Sequence, residues 1–126
     1  MIKVNFVAPL IFIKEIIKDM RERQSGLVIN IMSSACLFSS EGIGAYSASK
    51  SGFDALAKIL RKEVRNDHIA VCSIYPGGVD TPFRKMERPD YLRTDDVVNA
   101  IIHVIEAGPD VAYDELVLRP FVENNF

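Results

Sequence analysis

The chain has 126 residues, 48% of them apolar, enough for one packed core and not two. Its 15 basic and 17 acidic side chains are dispersed and leave a net charge of −2, which argues against a nucleic-acid partner or an anionic membrane surface. Cys36 and Cys72 form no C-x-x-C pair and read as reduced small hydrophobes of a cytoplasmic protein rather than as a disulfide framework.

Val4, Val7, Ala8, Ile11, Ile13, Ile16, Ile17 and Met20 recur at helical spacing, with Leu10 and Phe12 widening the stripe. Such a helix needs cover on more than one side, from a sheet and from another helix. Asn5, Lys14 and Glu15 interrupt the stretch, so it does not read as a membrane span, and the first residues lack the order of a signal peptide. Pro9 lies inside the helix without an N–H, which deprives the carbonyl of Asn5 of its donor; taken alone this is a proline kink. Gly26 closes the helical region, and Leu27 to Met32 reads as a buried strand running into Ser33 and Ser34. Glu41-Gly42-Ile43-Gly44 follows a loop and lacks a third glycine, so it is not a phosphate-binding turn.

A second helix runs from about Ala45 to about Arg65 and buries Phe53, Leu56, Ala57, Leu60 and Val64. Ile69 to Tyr75 is the next strand, and Pro76-Gly77-Gly78 a tight turn that admits backbone close to a ligand. Phe83 to Leu92 is a short loop carrying Arg84, Lys85 and Arg88, either a solvated charged loop or a basic lid over an acidic substrate. Thr94 is expected to cap a third helix with Asp95 and Asp96 in its first turn, burying Val97, Val98, Ile101, Ile102, Val104 and Ile105. Glu115 to Pro120 is a last strand, and His68 and His103 have no second metal ligand at useful spacing. Crossover helices between these strands imply an α/β fold with a parallel sheet of about three strands and three main helices. Its site would lie at the strands' carboxyl ends, where Ser33, Pro76 and the head of the second helix fall.

Tyr46 and Lys50 stand four residues apart at that helix head and so project from one face. Bringing a phenol from its usual pKa of about 10 to near 7 needs roughly 4 kcal/mol. A cation about 4 Å away supplies about that much at an effective dielectric near 20. Alone, the spacing is equally that of a surface pair.

Asn5, Ser33, Tyr46-Ser47-Ala48-Ser49-Lys50 and Pro76-Gly77-Gly78-Val79-Asp80-Thr81, in this order and spacing, resemble the short-chain dehydrogenase/reductase family from about Met1 to about Pro120. The resemblance implies Asn5, Ser33, Tyr46 and Lys50 as catalytic residues. It also implies that Tyr46, Lys50, Pro76, Gly77, Val79 and Thr81 face NAD or NADP. Asn5 would hold a relay water, Lys50 the ribose hydroxyls, and Val79 and Thr81 the nicotinamide amide. The small-molecule substrate would be a carbonyl or alcohol, and helices 4–20 and 46–65 would pair subunits into a homo-oligomer.

The family's opening strand and glycine-rich turn have no counterpart here. Residues 1–126 are thus expected to form one partial domain, the C-terminal half of a doubly wound sheet, with the strand at Val28 to Met32 left as an exposed edge. The alternative to an enzyme is a non-catalytic chain, an interaction module or an inert fragment.

Overall fold

The computed structural model describes residues 1–83 and 85–124. Strand β2 (Ile69–Pro76) is buried along nearly its whole length, because it is covered on both faces and paired on both edges. It lies between β1 (Gly26–Ile31) and β3 (Glu115–Leu118), all three parallel. Gly26 stands opposite Ile69 and Ile31 opposite Ile74; Ser73 stands opposite Glu115 and Pro76 opposite Leu118. Parallel pairing requires crossovers, and helices α2 (Gly44–Glu63) and α3 (Thr94–Ile105) supply them, while α1 (Ala8–Arg23) precedes β1. This is the expected α/β half of a doubly wound sheet.

Strand periodicity divides the core between two faces. On one, Val28, Met32, Val71 and Tyr75 pack with Ile13 and Ile17 of α1 and with Phe53 and Ala57 of α2. On the other, Cys72 and Ile74 pack with Val104 of α3, with Leu27, Ile29 and Leu116 at the margin. Fully burying a Val, Ile or Phe side chain stabilises by about 1.5–3 kcal/mol, so the larger α1/α2 cluster dominates. It also fixes α2, whose first turn carries Tyr46.

Several local expectations are corrected. Ahead of Pro9 the helix opens into a π turn over Lys3–Val7, with the Ala8 N–H reaching the Lys3 carbonyl five residues back. A widened turn is one way to absorb a missing N–H. Of the α1 stripe, Ile13 and Ile17 are buried, whereas Val4, Ile11 and Phe12 are exposed. The helix stops at Gln24, which takes the left-handed conformation expected of a glycine, and Gly26 instead begins β1. Gly26 is needed there because a Cβ would run into the Met20 side chain. Thr94 does not cap α3: Arg93 precedes the first turn, and its N–H donates to Asp96 Oδ2 at 2.7 Å. Only Val104 of α3 is fully buried, with Val98, Ile102 and Ile105 exposed, since the sheet covers one stripe of a helix apolar around most of its girth. Among the described residues β1 pairs only with β2, leaving its other edge open as expected, and Ile31 is exposed.

Candidate active site

Ser33 follows directly on β1 in extended conformation, and its Oγ accepts the Ala35 N–H at 3.1 Å to start a single 3-10 turn. β2 ends at Pro76, and the turn beyond it is pinned by the Gly77 N–H donating to the Leu118 carbonyl at 2.8 Å. The Leu92 N–H donates to the Gly78 carbonyl, and the Asp80 N–H to the Leu92 carbonyl. Between these strand ends and the head of α2 lies a cleft of about 580 Å³, lined among others by Ser33, Tyr46, Pro76, Gly77, Val79 and Thr81. Residues up to 48 positions apart in sequence thus face one space.

Lys50 and Asn5 line a neighbouring groove, about 550 Å³, between α1 and the open edge of β1. Lys50 Nζ donates to the Ile31 carbonyl at 3.2 Å. Asn5 Nδ2 donates to Ser49 Oγ at 3.2 Å, and Ser49 Oγ donates to the Tyr46 carbonyl at 2.7 Å. Ser49 is fully buried, so the Asn5 side chain is tied to the backbone of the tyrosine turn through a single hydroxyl.

Further along α2 the same four-residue spacing brings Asp54 and Lys58. Asp54 Oδ1 accepts the Tyr75 hydroxyl at 2.6 Å, and Oδ2 accepts Lys58 Nζ at 2.7 Å. Burial, and then the Asp54 carboxylate, push the Tyr75 phenol well above its usual range, while the bond to Asp54 raises the Lys58 ammonium. This cluster braces α2 against β2 immediately before Pro76. Both cysteines are free, and burial raises both thiols, which disfavours the reactive thiolate.

The basic-lid expectation rests on three residues, of which Arg84 lies outside the described ones. Arg88 turns its guanidinium over the Tyr91 ring, 5.7 Å from the centroid, and Lys85 is exposed. His103 shares a 2.9 Å hydrogen bond with the Tyr113 hydroxyl. Among the described residues no group of three or more His, Cys, Asp or Glu is placed to hold a metal, and no helix is long and apolar enough to cross a membrane. Ser49, Asp54 and Glu123 carry contacts at or beside the cleft that the sequence reading does not single out. Ser49 was legible in principle as one of the two serines inside Y-x-x-x-K, whereas Glu123 lies beyond the last strand with no pattern to mark it.

A parallel α/β half-sheet with hydroxyls gathered at its carboxyl edge, and a lysine one turn past the tyrosine, defines a dinucleotide-type fold. Within that class the chain belongs to the short chain dehydrogenase family, whose model matches residues 1–92. It is similar to dehydrogenase/reductase SDR family member 11 of Gallus gallus, 33% identical over 95% of this chain and 54% of the relative. It is also similar to an alcohol dehydrogenase from Thermococcus sibiricus solved with 5-hydroxy-NADP, at 25% identity and TM-score 0.87, covering 98% of this chain and 54% of that one. A 4-hydroxyisoleucine dehydrogenase solved with NADH is 28% identical at TM-score 0.80, over 93% of this chain and 55% of that one. The chain spans about half the length of the curated relatives it matches.

Proposed function

We propose that residues 1–126 form the catalytic half of an NAD- or NADP-dependent oxidoreductase acting on a small carbonyl or alcohol, with Tyr46 as general acid/base. The observation that carries this reading is the meeting of Ser33, Tyr46 and Thr81 in one cleft at the strand ends, with Lys50 one turn beyond Tyr46. The relatives solved with NADH and an NADP derivative support the cofactor class. When bound, the nicotinamide supplies the hydride and, oxidised, a positive charge beside the phenol.

The chain's own groups fit the rest. Written as a reduction, Tyr46 gives its proton to the substrate oxygen as charge develops there. Ser33 accepts from Ala35, which leaves its own O–H to donate to that oxygen. Lys50 commits one N–H to Ile31, and the other two remain for the ribose hydroxyls. Asn5 spends one amide N–H on Ser49, and its backbone carbonyl, within the π turn ahead of Pro9, is the group that would hold the relay water. Val79 and Thr81 face the nicotinamide amide, with Pro76 and Gly77 shaping the turn. The dinucleotide-binding half pairs with the open edge of β1, and subunits associate through helices 4–20 and 46–65, where Val4, Ile11, Phe12 and Ile59 are exposed. Free cysteines accord with a cytoplasmic location.

The test is a fluorescence titration of NADH and NADPH onto the 126-residue chain, with native mass measured on the same sample. Saturable binding supports the enzyme reading for this chain or its assembly. A folded chain that binds neither favours the second reading, a non-catalytic chain that docks through the open β1 edge and the groove beside it.

A further inference from the structure

We propose that Glu123 is a positioning residue which, together with Arg119, fixes the Pro76–Thr81 turn and the wall of the cleft it forms. Its functional consequence rests on the reading of that turn as cofactor-facing; the strap itself does not.

Glu123 lies past the end of β3 and returns to line the cleft. Its Oε1 accepts the Gly78 N–H, and its Oε2 accepts Arg119 Nε at 3.3 Å. The pair is not a surface salt bridge: the two side chains are 8% and 17% exposed. Ions withdrawn from water to that degree persist only where their geometry and additional hydrogen bonds compensate, and the Gly78 N–H is such a bond. The Arg119 guanidinium also lies over Phe38, 4.5 Å from the ring centroid. Phe38 belongs to the loop after β1, and Gly78 to the turn after β2. One ion pair therefore holds together both loops that wall the cleft and the segment after β3.

The glycines show how closely that contact is packed. A Cβ on Gly77 would overlap the Glu123 carboxylate, and one on Gly78 would meet both that carboxylate and the Tyr91 ring. Neither glycine has a positive φ, so conformational freedom is not what fixes them. The space a Cβ would need is occupied by the Glu123 carboxylate at Gly77, and by the Tyr91 ring together with that carboxylate at Gly78.

The test compares the 126-residue chain with Glu123→Ala and Glu123→Gln by residue-resolved amide hydrogen exchange. In Glu123→Ala, exchange at Gly78 should speed up by about tenfold or more, Val79 and Asp80 should follow, and Val71 and Cys72 in β2 should hold. Glu123→Gln should recover most of the protection, since its amide oxygen still accepts from Gly78. Unchanged exchange at Gly78, a change confined to Gly78, or failure of Gln to recover it overturns the proposal. If Glu123→Ala also loosens Val71 and Cys72, Glu123→Gln decides: protection at Gly78 close to the parent chain supports the strap, and its loss contradicts it. Cofactor titration separates the two readings. A parent chain that binds, with Glu123→Ala weaker by about fivefold or more and Glu123→Gln near the parent, supports positioning, and equal binding by all three refutes it. A parent chain that binds neither cofactor counts against the role of the turn, and exchange alone then settles the strap.

Discussion

Replacing Asp54 with alanine tests whether the buried cluster behind the cleft braces α2. Asp54 is buried on α2, and its two oxygens hold the fully buried Tyr75 hydroxyl and the Lys58 ammonium. A hydrogen bond to a charged group contributes about 1.5–3 kcal/mol, and a buried donor left unsatisfied costs about 1–3 kcal/mol, two views of one loss that are not to be summed. The Lys58 side chain is 41% exposed, so solvent screening limits that pair to about 0.5 kcal/mol. Alanine's better helix propensity returns about 0.5 kcal/mol. The net expectation for Asp54→Ala is a loss of about 1.5–3 kcal/mol, which lowers a urea midpoint by roughly 0.75–1.5 M at an m-value near 2 kcal/mol/M. The chain has no tryptophan, so far-UV circular dichroism is the natural probe. Asp54→Asn keeps an acceptor for Tyr75 and should lose about 1 kcal/mol or less. Pairing Asp54→Ala with Tyr75→Phe should reveal a coupling of about 1–2 kcal/mol. A loss below about 0.5 kcal/mol for Asp54→Ala, or additive single losses, would refute the brace.

Alkaline stability follows from the same groups. Tyr75 and Lys58 have folded pKa values raised above their unfolded ones, so their contribution is complete below about pH 10 and is lost as pH climbs past it. The two raised thiols add a shallower decline from about pH 8.5. Urea midpoints taken across this range should fall, and Tyr75→Phe should flatten the part above pH 10; an unchanged slope would be a contradiction. Gly78→Ala should cost about 2–3 kcal/mol against the Tyr91 ring and Glu123, whereas Gly26→Ala should cost about 1 kcal/mol or less because the Met20 side chain can swing aside. Equal losses by thermal melting would count against that distinction. Ser49→Ala should loosen the π turn from the tyrosine helix, seen as faster amide exchange at Asn5 and Phe6 with β2 unaffected.

The elements themselves were legible because each has a periodicity that local physics enforces. α2 repeats its buried residues at helical spacing, and β2 is apolar on both faces because it is central. The convergence of Ser33, Tyr46 and Pro76 followed from parallel topology alone. What the sequence misplaced depends on partners that only the fold supplies. Thr94 has the chemistry of a cap, but Asp96 bonds the N–H of Arg93 and moves the boundary by one residue. Val97, Val98, Ile101, Ile102, Val104 and Ile105 were all expected on the buried side of α3, yet the sheet reaches only the stripe around Val104. Lys50 follows Tyr46 by a single turn but reaches the end of β1, a contact that sequence spacing does not encode. Glu123 joins the cleft from a segment with no repeat at all.

Turnover by the chain, alone or reconstituted with a dinucleotide-binding half, with and without Tyr46→Phe, measures the central claim most directly. Oxidation of NADH or NADPH would be followed against a panel of small aldehydes and ketones, with cofactor binding titrated in parallel. We expect Tyr46→Phe to retain cofactor binding and to lose turnover by about a thousandfold, in keeping with removal of a general acid. Turnover unchanged in Tyr46→Phe would remove this residue from the chemistry and, with it, the reading of the cleft as an active site.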